Sequence, residues 1–208
     1  MVRLIPFLRI YVAIAMNIII YFISVNLFSF LFMWINIFID KRHKNNSVLN
    51  IICQILSTLG GCFGIIISFL IFSHKLKKEN MTLIVTSLCL TIIYTIVLLI
   101  LLLPIELTLS DIKKAVTTFY KPLDIYLLII NIVSFIVYGV DKRLAIKNKS
   151  RIPIVTLLSL AGIGGSVGSL LGMYIFRHKT KKSYFTVGVP LILLTQIILI
   201  VFIKIIII

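Results

Sequence analysis

The stretch IGGSVGSLLGMYIFRHKTKK, residues 163–182, can be built in two ways, and the choice decides the fold. It opens on a glycine pair, Gly164 and Gly165, and continues with small residues at four-residue spacing, Gly168 and Gly172. It then turns basic, with Arg177, His178, Lys179, Thr180, Lys181 and Lys182. Small residues at every fourth position let helix backbones approach closely in lipid. A glycine pair permits a sharp turn. A basic block after an apolar run marks the cytoplasmic edge of a membrane segment.

The apolar run 152–176 has 25 residues. As one straight helix it would reach about 37 Å, enough to cross a bilayer with some tilt. VDKR at 140–143 and RHKTKK at 177–182 would then face opposite sides. If the chain turns back at Gly164 and Gly165, near the midpoint, the two motifs share a side. Most of the 21 basic residues fall in four blocks: Lys41 to Lys44, Lys75 to Lys78, Lys142 to Arg151, and Arg177 to Lys182. A turn puts all four blocks on one side, as the charge bias of cytoplasmic loops requires. Length and unbroken apolarity favour the crossing helix. The charge bias favours the re-entrant hairpin, and the hairpin is the expectation.

The wider composition fixes the class. The chain has 208 residues and is 61% hydrophobic. Uncharged runs occupy 10–39, 80–105, 152–176 and 183–203, and a shorter one 125–140. A bilayer core of about 30 Å needs about 20 apolar residues of helix, and lipid offers backbone groups no partner outside a helix. The expected fold class is an all-α integral membrane protein. The start, MVRLIPFLRI, lacks a small-residue cleavage site, so it reads as a retained first membrane helix rather than a signal peptide. No soluble domain is expected on either side of the membrane part.

The net charge of +15 sits in short juxtamembrane blocks. It therefore points to orientation and anionic lipid rather than to nucleic acid, which needs a folded basic surface. Cys53, Cys62 and Cys89 lie in apolar runs and form no C-x-x-C, so they read as small buried hydrophobes.

The same pattern is written twice. IDKR at 39–42 answers VDKR at 140–143. LGGCFGIIISFLIFSHKLKK at 59–78 answers IGGSVGSLLGMYIFRHKTKK at 163–182. Gly60, Gly61, Gly64 and Ser68 take the places of Gly164, Gly165, Gly168 and Gly172. The expectation is a tandem repeat, with copy 1 over 1–105, an amphipathic connector over 106–121 that lies along the interface, and copy 2 over 122–208. In each copy two membrane helices flank a glycine-bearing segment. The alternative is three full spans per copy, which would make the copies an inverted pair.

VDKRLAIKNKSRIP, followed by GGSVGSLLGMYIFRHKTKKSYF, resembles the small bacterial membrane family known as domain of unknown function 1294. The resemblance covers most of 122–208, with 10–105 as a degenerate second copy. It implies a bacterial plasma membrane location and carries no activity with it. Ile154 stands where the family has an acidic residue after R-I-P. Some relatives are fused to a cold-shock domain; this chain has none, so a nucleic-acid role gains no support. Copy 1 departs further: Ser73 and Leu76 stand for Arg177 and Thr180, and Ser47 stands for Arg151.

Cations at the end of an apolar helix complement its dipole and anchor the interface. The same residues suit anion capture, because arginine forks onto phosphate, lysine adds a point charge and histidine adds a titratable donor. The candidate anion or lipid-headgroup site is Arg177, His178, Lys179, Thr180 and Lys181 with Asp141, Lys142, Arg143 and Arg151. Within it Asp141 is expected to pair with Lys142, or to orient Arg177 if both loops share a side. A metal set of Asp40, His74, Asp141 and His178 lacks ligand spacing and is not expected; nor is any cofactor. Lys204 is near enough to the terminus to reach water by snorkelling.

The reading is a non-enzymatic membrane protein that binds anionic phospholipids, or a membrane-protein partner or second copy, through a basic cytoplasmic face. Two alternatives are a small transporter or flippase built from two repeats, and a membrane enzyme acting on a phospholipid-like substrate.

Overall fold

The computed structural model describes residues 4–42, 47–72, 80–102, 109–117 and 121–207. Every regular element among them is helical. In order these are α1 (Leu4–Arg42), α2 (Ser47–Leu56), α3 (Cys62–Phe72), α4 (Met81–Leu102), α5 (Leu109–Thr117), α6 (Lys121–Ile146), α7 (Ile154–Leu160), α8 (Ser166–Ile175), α9 (Ser183–Thr186) and α10 (Gly188–Ile207). Two five-residue hinges, Ser57–Gly61 and Ala161–Gly165, join α2 to α3 and α7 to α8. Six helical segments are long and apolar enough to cross a membrane, and the chain is a multi-pass membrane protein. Two compact units make it up, Met1–Thr91 and Ile92–Ile208.

In the second unit the glycine-bearing segment doubles back. A straight helix over Ile154–Ile175, 22 residues, would hold its ends about 33 Å apart. Instead both ends meet one side chain. Asp141 Oδ1 accepts from Ile152 N at 2.9 Å, and Asp141 Oδ2 lies 2.8 Å from His178 Nε2. The hinge lies against the other part of α6: a Cβ on Gly164 would stand 3.1 Å from Ile130 and 3.2 Å from Leu127. So α7 runs back along α6, and α8 returns in the same sense as α6. The return is tight. A Cβ on Gly168 would stand 1.9 Å from the Asn131 carbonyl oxygen, and one on Gly172 would stand 2.8 Å from Tyr138 Cβ. Gly164 has φ 126°, a left-handed conformation that glycine adopts without strain. The three-span alternative fails in this unit, because a crossing helix cannot place residues 152 and 178 on one carboxylate.

A turn at membrane depth leaves backbone carbonyls without helical partners, and lipid cannot supply them. Here side chains do. Asn131 Nδ2 donates to Gly164 O at 2.9 Å and to Leu127 O at 2.7 Å, and Asn131 Oδ1 accepts from Gly168 N at 2.7 Å. Tyr126 Oη donates to Ile163 O. Gln196 Nε2, from α10, donates to Ala161 O at 2.6 Å and Gly162 O at 2.8 Å, while its Oε1 accepts from Ser166 Oγ. Four successive carbonyls, 161 to 164, thus each have a donor. Ser134 and Ser169 add a buried hydroxyl pair at 2.6 Å between α6 and α8.

The first unit is built the same way. Tyr21 Oη donates to Leu59 O at 2.9 Å, Asn26 Nδ2 to Gly60 O at 3.0 Å, and Gly64 N to Asn26 Oδ1 at 2.9 Å. Gly60 has φ 106°, and Gly64 would meet the Asn26 carbonyl oxygen at 2.1 Å if it carried a Cβ. Asn36 binds Asn50 at 2.8 Å, and Phe72 packs its ring against Phe30 and Trp34. Both ends of the α2–α3 segment therefore return to the same part of α1. Met33, Ile37, Cys53, Ile65 and Leu83 form the core there.

The connector is helical over Leu109–Thr117 and packs on α10, with Ala115 buried. Its first part, to residue 108, lies outside the described residues. Lys204 is buried, 8% exposed, which corrects the expectation that it snorkels to water.

Candidate functional site: a buried carboxylate at the hairpin mouth

Asp141 sits near the end of α6 with no exposed surface. A buried carboxylate must be paired and hydrogen-bonded or it is strongly unfavourable. It takes three donors: Ile152 N on Oδ1, and His178 Nε2 and Lys179 Nζ, each at 2.8 Å, on Oδ2. The Lys179 ammonium also stands 4.9 Å above the Phe185 ring, a cation–π contact. Burial pushes the Lys179 amine below its ordinary value, and the Asp141 carboxylate works in the opposite direction. Tyr138, one turn before Asp141, packs edge-on against Phe185, and its buried Oη has no hydrogen-bond partner within bonding geometry among the described residues.

The backbone of FRHKTKK explains how His178 and Lys179 reach the carboxylate. Helix α8 ends with His178 N bonded to Met173 O and Arg177 N bonded to Tyr174 O. That pairing closes a helix with a left-handed residue, which glycine usually supplies. Here Arg177 holds it, at φ 46°, and Lys179 follows at φ 62°. Helix α6 closes the same way: Lys149 N bonds Leu144 O, and Asn148 is left-handed at φ 51°. Asparagine tolerates that conformation; arginine and lysine are strained in it.

The anion-site residues separate into two groups. His178 and Lys179 turn inward to Asp141. Arg143, Arg151, Arg177 and Lys181 are exposed, and Lys142 and Thr180 are half-buried. Two expectations need correction. Asp141 pairs with neither Lys142 nor Arg177, because the hairpin delivers His178 and Lys179 to it first. The glycines Gly164, Gly165, Gly168 and Gly172, with Gly60, Gly61 and Gly64, are all buried. Lys44, His74 and Lys75 to Lys78 lie outside the described residues, as do the side chains of Asp40, Lys41 and Arg42. Among the described residues no group of three metal-ligating side chains occurs.

Sequence reading passed over the hinge caps. Their signal was present: YFISVN at 21–26 and YLLIIN at 126–131 place tyrosine and asparagine five apart in both apolar runs. Gln196 has no such echo, since Ile92 stands at the matching place 104 positions earlier.

These features define a class, a multi-pass helical membrane protein with a capped re-entrant hairpin locked at its mouth by a buried carboxylate. The chain matches the family described as "Protein of unknown function (DUF1294)" over residues 131–185, from the hinge-capping asparagine to Phe185. It is 48% identical over 75 residues to "Uncharacterized protein YsdA" of Bacillus subtilis (strain 168), a match covering 36% of this chain and 84% of the relative. The chain belongs to the DUF1294 family. No solved structure matches it.

Proposed function

We propose that the protein binds anionic phospholipid headgroups through the basic end of its second unit, on the cytoplasmic face of a bacterial plasma membrane. One observation supports this reading above the others. Asp141 engages two cations and leaves Arg143, Lys147, Lys149, Arg151, Arg177, Lys181 and Lys182 exposed around the hairpin mouth. Among the described residues no ion pair with an acidic side chain joins any of the seven. Cations clustered at a membrane edge attract anionic lipid, by about 1 kcal/mol each near the surface. The first unit, on this reading, is a diverged copy in which the mouth has lost both arginines, Ser47 and Ser73 standing in their places.

The test is lipid retention in native mass spectrometry. Arg177→Ala is expected to weaken retention of an anionic phospholipid about tenfold or more, the loss of one charge-assisted contact. Arg177→Lys keeps the charge but loses the fork, and its retention is expected to fall well below wild type. Wild-type retention by both variants would reduce the basic end to a topology signal.

A further inference from the structure

We propose that the first unit holds a bilayer lipid by its glycerol esters, with the carboxamides of Asn50 and Gln54 as donors to the ester carbonyl oxygens. The proposal does not depend on the charged end of the second unit. Asn50 and Gln54 stand one turn apart on one flank of α2. Asn50 Oδ1 accepts from Asn36 Nδ2 at 2.8 Å, and Gln54 Oε1 accepts from Thr86 Oγ1 at 2.9 Å. Each carboxamide thus uses its oxygen inside the unit. Each also carries two N–H donors, and these meet no acceptor among the described residues. Both residues are half-buried. In hydrocarbon an unpaired amide is costly.

Packing does not account for Gln54. The Thr86 hydroxyl has a single hydrogen, and it already has the carbonyls of Thr82 at 3.0 Å and Leu83 at 2.9 Å in reach. Thr86 would stay satisfied without the glutamine. Aligning the two glycine stretches puts Ile154 and Leu158 at the matching positions of the second unit, where the same hairpin stands without amides. So the hinge requires neither of them.

Depth selects the acceptor. Helix α2 begins at Ser47, directly after the basic segment that marks the headgroup level. Asn50 and Gln54 lie about 5 and 10 Å along the axis from that start. The interfacial zone takes about 5–8 Å on each side of the hydrocarbon. Side chains on a helix lean toward its N-terminus, which lifts both amides back toward that zone. Its neutral hydrogen-bond acceptors are the ester carbonyl oxygens of the lipid glycerol.

The test compares two bilayers that differ in those oxygens alone. The full chain is reconstituted in a diester phosphatidylcholine and in its diether analogue with the same headgroup and chains. Wild type is expected to melt higher in the diester lipid, by about 3 °C or more. Gln54→Met, of similar volume and without N–H donors, is expected to lose at least half of that difference; Asn50 stays in place because buried Asn36 depends on it. Equal melting of wild type in both lipids overturns the proposal, and so does an undiminished diester preference in Gln54→Met. The headgroup is zwitterionic in both bilayers and Arg177 is intact throughout. Failure here therefore leaves the anionic-headgroup reading standing, and the reverse also holds.

Discussion

Asp141 has two carboxylate oxygens and receives three donors from three places in the chain: the start of the hairpin, its end, and the lysine beyond it. Removing the charge of a buried pair strands the partners and costs more than the pair itself contributes. Asp141→Asn keeps an oxygen for Ile152 N but weakens both contacts on Oδ2. It is expected to destabilise the fold by about 3–5 kcal/mol, read as a lower melting temperature in detergent. Arg177 gives the opposite prediction. Its left-handed backbone is a strain of about 1–2 kcal/mol for a residue with a side chain. Arg177→Gly is therefore expected to raise the melting temperature while weakening anionic-lipid retention. A variant that melts higher and retains lipid as wild type does would show that the arginine is not held in that conformation for binding.

The hairpin is the element on which the second unit turns, and its glycines are not equivalent. Gly168 packs its Cα against the Asn131 backbone, where even a methyl group would overlap the carbonyl oxygen. Gly162, six residues earlier, has nothing within 4 Å of the position its Cβ would take. Gly168→Ala is expected to prevent folding or lower the melting temperature sharply. Gly162→Ala is expected to be neutral or stabilising by up to about 1 kcal/mol, since alanine is the better helix former. Equal melting of the two variants would contradict the close approach of α8 to α6. The glycine pair, the four-residue spacing and the paired basic motifs made this element legible in the sequence, because turn permission and charge bias are local properties. What joins it together was not legible. Asp141 meets His178 across 37 positions, and Gln196 reaches Ala161 across 35. Such pairings follow from the path of the hairpin, and no spacing rule yields them. Lys204 failed for a similar reason: nearness to the terminus says nothing of what packs over the side chain.

For the whole molecule, a segment that leaves and returns at one end changes the topology. Six segments qualify as spans by length and composition, but two of them fold at a glycine hinge, so α1, α4, α6 and α10 are the helices expected to cross. Asn148 and Ser183 flank the second hairpin. Single cysteines at these two positions, with Cys53, Cys62 and Cys89 replaced, are expected to react with an impermeant thiol reagent from the same side of the membrane. Labelling from opposite sides would mean a third crossing in the unit. By the charge bias of membrane loops, that side is expected to be the cytoplasmic one.

The hinge caps also impose an order on synthesis. Tyr126 and Asn131 leave the ribosome before the turn they cap, so the carbonyls of Ile163 and Gly164 find donors as soon as the hairpin folds back. Ala161 and Gly162 depend on Gln196, which emerges more than thirty residues later. Until then the nascent chain carries a half-capped turn facing lipid, and a chain cut short before α10 keeps it permanently. The last helix is thus the piece whose arrival completes the capping of the turn.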